Sequence, residues 1–500
     1  MRRAALLLCL LAATAWADEP RPVVVGSKAF PESWILGDAA TLLVRRAGLR
    51  AEHRRNLGGT EIVFQALRSG SVDIYPEYTG TINEVLLHTP DRTSLDDMRR
   101  ALETQGISMS DPLGFNDSYG IAVAPGVARR LGLAKISDLA RHPELRLAFT
   151  HEFLGRADGW PGLARAYGLP AGHPQGIQHE LAYRALEAGK VDATDVYTTD
   201  AWIQRLGLVV LQDDRAFFPR YDAVFLYRTE LAGRSPGAVG AIQRLVGQVS
   251  EARMIGANAH VVLEKQPSEQ AAAALVDEVL GADSTVAAAT RSSRSADLLR
   301  HLVQHLRLVA VSLAAAIVIG LPIGIASARS PAMARVLLTL AGVVQTIPSL
   351  ALLAFLIPFL GIGAGPALVA LFLYSLLPIV RNTYTGLTTI APGLRESAEV
   401  LGLTARARLV RVELPMASPS ILAGIQTSAV INVGTATLAA LIGAGGLGEP
   451  ILSGIQLRDT ALILEGAIPA ALLALAVQGG FDLLERVVVP RGLRLPAERT

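Results

Sequence analysis

The chain has 500 residues, 51% of them hydrophobic, with a formal net charge of +2 at pH 7 and a mean hydropathy of +0.38. That length exceeds one hydrophobic core and predicts two or three domains. The hydropathy is high for a wholly soluble chain and fits a partial membrane protein, the near-neutral charge gives no general basis for binding nucleic acid, and a single cysteine, Cys9, excludes a disulfide framework.

The N-terminus reads as a secretory signal over residues 1–17. Arg2 and Arg3 supply the positive start, Ala4 to Ala13 the apolar run, and Ala15-Trp16-Ala17 a small-x-small cleavage site. The run is too short to span a bilayer. Cys9 falls inside it, and Leu8-Cys9 is a poor lipoprotein processing site, so no lipid anchor is expected.

Residues 18–285 are polar and charge-bearing. Val23-Val24-Val25, Val72 to Tyr75, Tyr119 to Val123 and Leu147 to Phe149 read as strands, with helices over 32–47, 61–69 and 179–189. This alternation predicts an α/β fold with mainly parallel strands. About 260 residues suit two lobes around a cleft, with lobe one at 22–115 and 222–285 and lobe two at 119–218. The crossings fall near Asn116–Tyr119 and Phe218–Tyr221. Four tyrosines stand at these punctuation points rather than in periodic core patterns: Tyr78, Tyr119, Tyr197 and Tyr221. In open α/β sheets that is where ligands bind, although a tyrosine near a turn is commonly a half-buried structural residue. Tyr75 reads as core. Residues 286–305, rich in Ala, Ser and Arg, read as a linker.

The rest, 306–490, is nearly continuous apolar helix. Five segments can span a membrane: 306–328, 334–360, 364–380, 417–443 and 460–480. An exported N-terminal module puts the first span's start outside and, after five spans, the C-terminus inside. Positive charge agrees. Inner segments carry Arg329 and Arg335, then Arg381, Arg395, Arg406, Arg408 and Arg411, then Arg486, Arg491, Arg494 and Arg499, whereas the outer loops carry only Arg458. Arg291, Arg294, Arg300 and Arg307 depart from the rule and are assigned to the linker and an interfacial helix.

Between spans three and four, within 391–415, the run Glu396-Ser397-Ala398…Gly402…Leu414-Pro415 predicts a short helix on the inner membrane face. Gly402 permits a turn there, and Pro415 opens the next span where its missing N–H costs little. This spacing resembles the coupling loop of bacterial ABC importer permeases, with Ser397 in place of the usual Ala. Gln345-Thr346-Ile347-Pro348-Ser349, Leu377 to Tyr384 and Ile442 to Gly448 resemble the osmoprotectant (glycine betaine/choline) subgroup. The resemblance implies docking on a cytoplasmic ATPase. Gly443-x-Gly445-x-x-Gly448 follows a span rather than a strand, so it is no dinucleotide fingerprint, and no Walker A sequence exists in the chain.

The soluble half resembles the substrate-binding proteins of the same importers through Gly26-Ser27-Lys28-Ala29-Phe30-Pro31-Glu32, Asn56 to Thr60, Tyr75 to Thr81, Arg156 to Trp160 and Asp213 to Pro219. The implied fold is a two-lobed (type II) periplasmic-binding-protein module. The implied site is an aromatic cage of Tyr78, Tyr119, Tyr197 and Tyr221, with Lys28, Thr81 and Arg156 holding a carboxylate and Asn116 contacting ligand or shaping the turn. A quaternary ammonium has no N–H to donate, so ring faces must bind it, at about 0.5–2 kcal/mol each. Hydrolase motifs and metal-ligand spacings are absent from the sequence. The expectation is therefore a fused receptor and permease for a quaternary ammonium solute in the bacterial inner membrane, with no cofactor of its own. ATP would be used on a separate ATPase, and the chain would pair with a second copy because five spans cannot enclose a two-fold path. A transmembrane sensor and an importer of another solute, such as an amino acid, are the competing readings.

Overall fold

The structure, a computed structural model, describes residues 21–88, 94–169, 174–281 and 294–490. The signal segment, residues 286–293 of the expected linker (Arg291 among them), Arg491, Arg494 and Arg499 lie outside the described residues. The rest of that linker, 294–305, is not a loop but the first turns of a long helix, Arg294–Arg329.

Among the described residues, the N-terminal half holds ten strands: β1 Val23–Gly26, β2 Ala51–Arg54, β3 Ile74–Tyr78, β4 Ile107–Met109, β5 Tyr119–Val123, β6 Ala148–Thr150, β7 Gln175–Ile177, β8 Ala193–Tyr197, β9 Val209–Leu211 and β10 Ala223–Arg228. One sheet is ordered β2-β1-β3-β10-β4. A second is ordered β8-β5-β9, with β6-β7 as a two-stranded ribbon. The first sheet draws on both ends of the module and the second on its middle, which gives two lobes.

The expectation of mainly parallel strands is corrected. β1 pairs in parallel with β2 and β3, but β10 runs antiparallel to β3 and β4, and β5 antiparallel to β8 and β9. The cause is the crossing itself: β5 and β10 start at the hinge, where β3 and β8 end. The cleft is therefore rimmed by the carboxyl ends of β3 and β8 and the amino ends of β5 and β10. An isolated bridge, Asn116↔Asp222, ties the two connecting segments together.

Four helices of this half matter below: α1 Pro31–Arg46, α2 Thr60–Arg68, α3 His179–Glu187 and α4 Ala201–Leu206. Pro31 sits in the first turn of α1, where its fixed φ suits the helix and its missing N–H is no loss.

The C-terminal half is helical: α5 Arg294–Arg329, α6 Pro331–Thr346, α7 Ser349–Leu360, α8 Ala364–Thr388, α9 Pro392–Val400, α10 Leu414–Thr435, α11 Gly448–Gln456 and α12 Thr460–Val488. The second expected span, 334–360, is not one straight helix. α6 and α7 meet at 97°, because Pro348 denies helical geometry to Ile347, whose ψ is 125°. Together the two are long and apolar enough to cross as one bent span. Gly361, at the end of α7, meets Ser71 of the soluble module, and Gly443, beyond α10, meets Leu57, so these two loops lie on the module's side.

Packing follows membrane rules, in which small residues let backbones approach closely. A Cβ on Gly324 of α5 would lie 2.5 Å from Thr383 of α8, and one on Gly424 of α10 would lie 2.7 Å from the Pro378 carbonyl of α8. Polar pairs join the same helices, with Asn432 Nδ2 donating to Ser312 Oγ at 3.0 Å and Ser428 Oγ donating to the Ser375 carbonyl at 2.9 Å. Phe355, Phe359, Leu472 and Leu475 remain exposed on the outside of this bundle, as expected for faces that meet lipid or another protein.

Candidate functional site

The site lies between the lobes, and local structure explains each position. Tyr119 and Tyr197 are direct antiparallel partners at the cleft ends of β5 and β8, so their rings meet at a tilt of 44° with centroids 5.2 Å apart. Tyr221 stands two residues before β10 and meets Tyr119 edge-on at 5.5 Å. Tyr78 ends β3. It joins the others through Phe30, which lies 6.4 Å from Tyr78 and 5.9 Å from Tyr197. The four tyrosines thus converge on one arc with a fifth ring, Phe30, to which sequence reasoning gave no role. Tyr78, Tyr119 and Tyr221 are buried.

Their hydroxyls are anchored as well. Tyr78 donates to Glu32 Oε1 at 2.7 Å and Tyr221 to Asp158 Oδ2 at 2.5 Å. Asn116 shapes the hinge, its Oδ1 accepting the Tyr221 N–H at 2.7 Å.

The expected cations flank the arc. Lys28 Nζ is 5.6 Å from the Tyr78 ring centre, and the Arg156 guanidinium 5.4 Å from that of Tyr119. Each already holds a carboxylate of the chain. Lys28 Nζ lies 2.5 Å from buried Glu77, and Arg156 forms a two-point pair with Asp158. A ligand carboxylate would have to share these cations. Thr81 is buried in the short turn Thr79–Thr81 that follows β3.

Behind the rings lies a polar seam that sequence reasoning missed. Glu32 of lobe one accepts from Thr199 Oγ of lobe two at 2.6 Å and from Asn258 Nδ2 at 2.8 Å. The same Thr199 hydroxyl is 2.7 Å from Asp117 Oδ1, which also accepts the Thr199 N–H. One hydroxyl proton cannot serve two carboxylates, so one of the pair must carry a proton. Burial raises both carboxyl pKa values, and their mutual repulsion raises that of Asp117 further. Next to the seam, burial pushes Glu180 up to about 8. Burial alone would lower His179, but its hydrogen bond to Asp200 carries it up to about 9. The only sequence signal for the seam was Glu32 in the first turn of a helix that opens with Phe30-Pro31.

At the opposite end of the molecule, Glu396 and Ser397 are exposed on α9 while Ala398 is buried. Gly402 takes a φ of +76°, a conformation that costs glycine least. Leu414 and Pro415 open α10. Val400 and Leu401, at the end of α9, are 88% and 79% exposed, an apolar tip with no intramolecular cover of that extent.

Residues 21–278 match the family described as the substrate-binding domain of ABC-type glycine betaine transport systems, and residues 320–492 match the binding-protein-dependent transport system inner membrane component. A glycine betaine/carnitine/choline transport system permease protein of Bacillus subtilis is 42% identical over 198 residues, 40% of this chain and 91% of that protein. An osmoprotectant import permease protein of Salmonella typhimurium is 45% identical over 38% of this chain and 91% of its own length. An ergothioneine transport permease/ergothioneine binding protein of Helicobacter pylori is 32% identical over 53% of this chain and 50% of its own length.

Proposed function

Because the chain belongs to the glycine betaine-type substrate-binding family and to the binding-protein-dependent permease family, we propose that it captures a quaternary ammonium solute outside the membrane and passes it inward through its own permease half. The chain is a fused binding protein and permease of an ABC importer, multi-pass in the inner membrane. The observation that carries the substrate class is the five-ring arc at one inter-lobe cleft. A methylated cation offers neither an N–H to an acceptor nor a lone pair to a donor, and ring faces attract it at about 0.5–2 kcal/mol each. Four or five such faces make up a large part of the roughly 8 kcal/mol that a micromolar site requires. Glu32, Glu77 and Asp158 bring negative charge to the ring hydroxyls and the flanking cations. Glycine betaine, choline and carnitine share the required headgroup, and so does ergothioneine, a betaine of histidine.

Capture draws the lobes together through Glu32 and Thr199. The closed module sits on the outer ends of the permease helices. ATP use by a separate cytoplasmic ATPase, gripping α9 and the Val400–Leu401 tip, switches the path. The exposed apolar faces of α7 and α12 pack against a second copy and lipid. Proteoliposomes holding the chain with its ATPase should accumulate radiolabelled glycine betaine or choline only with ATP, and unlabelled trimethylammonium compounds should compete where amino acids do not. Ligand-stimulated ATP hydrolysis without accumulation would favour a sensor instead.

A further inference from the structure

Arg458 is the only basic residue in the outer permease loops, and it takes a left-handed backbone, φ +51°, that few non-glycine residues adopt. It lies between α11 and α12. Its guanidinium sits 4.1 Å from the ring centre of Trp202 on α4 and 3.2 Å from Glu187 at the end of α3, both in lobe two. Its own carbonyl accepts from Arg184 of α3 at 3.3 Å, and the preceding carbonyl, of Leu457, accepts from Lys265, which follows the second crossing in the chain. Nearby, Asn56 of lobe one donates to Ser453 of α11 at 3.2 Å. One hairpin of the permease therefore touches both lobes, and their relative position decides whether all of these contacts form together.

The Trp202 ring beneath Arg458 is linked back to the cage by packed rings. Trp202 stacks on Tyr183 at 6.2 Å, Tyr183 meets His179 edge-on at 5.3 Å, and His179 lies 4.7 Å from the cage ring Tyr197. The Asp200 carboxylate clamps this stack, accepting from Tyr183 at 2.5 Å and bonding His179 at 2.8 Å, and Asp200 also caps α4, the helix that carries Trp202.

We propose that Arg458 is the positioning residue through which the permease detects a closed, loaded cage, by way of the Tyr197–His179–Tyr183–Trp202 stack. The proposal rests on the import reading above. Removing Arg458 should uncouple the two halves without touching the binding site. The guanidinium is suited to this role because one planar group both stacks on an indole and pairs with a carboxylate, so it holds only when α3 and α4 are correctly placed.

The test uses the full chain reconstituted with its ATPase, and radiolabelled glycine betaine and choline as probes. Arg458→Ala should leave the equilibrium Kd within about threefold of the parent, while uptake and ligand-stimulated ATP hydrolysis fall by more than about tenfold. Retained binding also shows that the variant folds. Trp202→Ala should lose stimulation to the same extent, and the double variant should be no worse than either single one. Arg458→Lys, which keeps a cation over the ring but not the planar fork, should fall in between. Binding and uptake that drop in parallel, stimulation that is undiminished, or single effects that add in the double variant would overturn the proposal. A parent chain that binds neither probe would instead overturn the import reading, and this shows before any substitution is made.

Discussion

At the scale of single residues, the four tyrosines of the arc interrupt rather than continue the apolar pattern. Tyr78 and Tyr197 close strands, Tyr119 opens one, and Tyr221 stands two residues before one. Phe30 and Glu32 take their roles from distant partners such as Tyr197 and Asn258, which no local pattern announces. The arrangement separates the rings by their hydroxyls. Tyr119→Phe should change ligand affinity little, and Tyr119→Ala should cost more than about tenfold, ~1.4 kcal/mol. Tyr78→Phe and Tyr221→Phe should each cost more than Tyr119→Phe, because their hydroxyls satisfy the buried carboxylates Glu32 and Asp158. Equal losses from Phe and Ala at Tyr119 would contradict ring-face binding.

The polar seam adds a pH dependence. Glu32, Asp117, Glu180 and His179 all hold their protons more tightly in the closed, buried site than an exposed group would. Their contribution to closure is thus complete below the ordinary values and lost as pH rises through the raised ones, about 8 for Glu180 and about 9 for His179. Ligand titrations should show weaker binding at pH 9.5 than at pH 7; an unchanged Kd would contradict this account.

At the scale of elements, the strands and helices that the sequence reading named lie within a few residues of β1, β3, β5, β6, α1, α2 and α3, while β2, β4 and β7 to β10 went unread and strand direction did not follow. Periodicity reports which face is buried and carries no sign for the direction of β5 and β10. That direction is fixed by where the chain re-enters each lobe. The break in the second span was similarly only half visible. Pro348 was in plain view, but proline is tolerated within membrane helices, and only the Ile347 backbone shows that it ends α6 here. Gly80 shows what the turn after β3 demands. A Cβ there would lie 2.5 Å from the Tyr221 ring and 2.9 Å from the Arg220 carbonyl. Gly80→Ala should therefore displace Tyr221 and weaken ligand binding by more than about tenfold, while circular dichroism stays near that of the parent. Undiminished affinity would show that Tyr221 is not held by this contact.

At the scale of the whole molecule, hydropathy divides the chain near residue 300, and the expected export of one half orients the other. The structure adds that the halves are in contact, through Asn56 with Ser453, Ser71 with Gly361 and Glu187 with Arg458. These partners lie hundreds of residues apart and could not be read in advance. At the inner end, Val400→Glu together with Leu401→Glu should abolish ATP-driven uptake and leave ligand affinity unchanged, because the altered tip is on the face opposite the cage; uptake at the parent rate would exclude it as the ATPase contact. The account as a whole depends on a methylated cation being held by the ring arc. Titration calorimetry of the purified full-length chain against glycine betaine, choline, carnitine, ergothioneine and a set of amino acids tests this most directly. At least one of the four trimethylammonium compounds should bind with a Kd of about micromolar or tighter, and Tyr119→Ala should weaken it by more than about tenfold. Silence toward all four, or binding of an amino acid that survives Tyr119→Ala, would contradict the account.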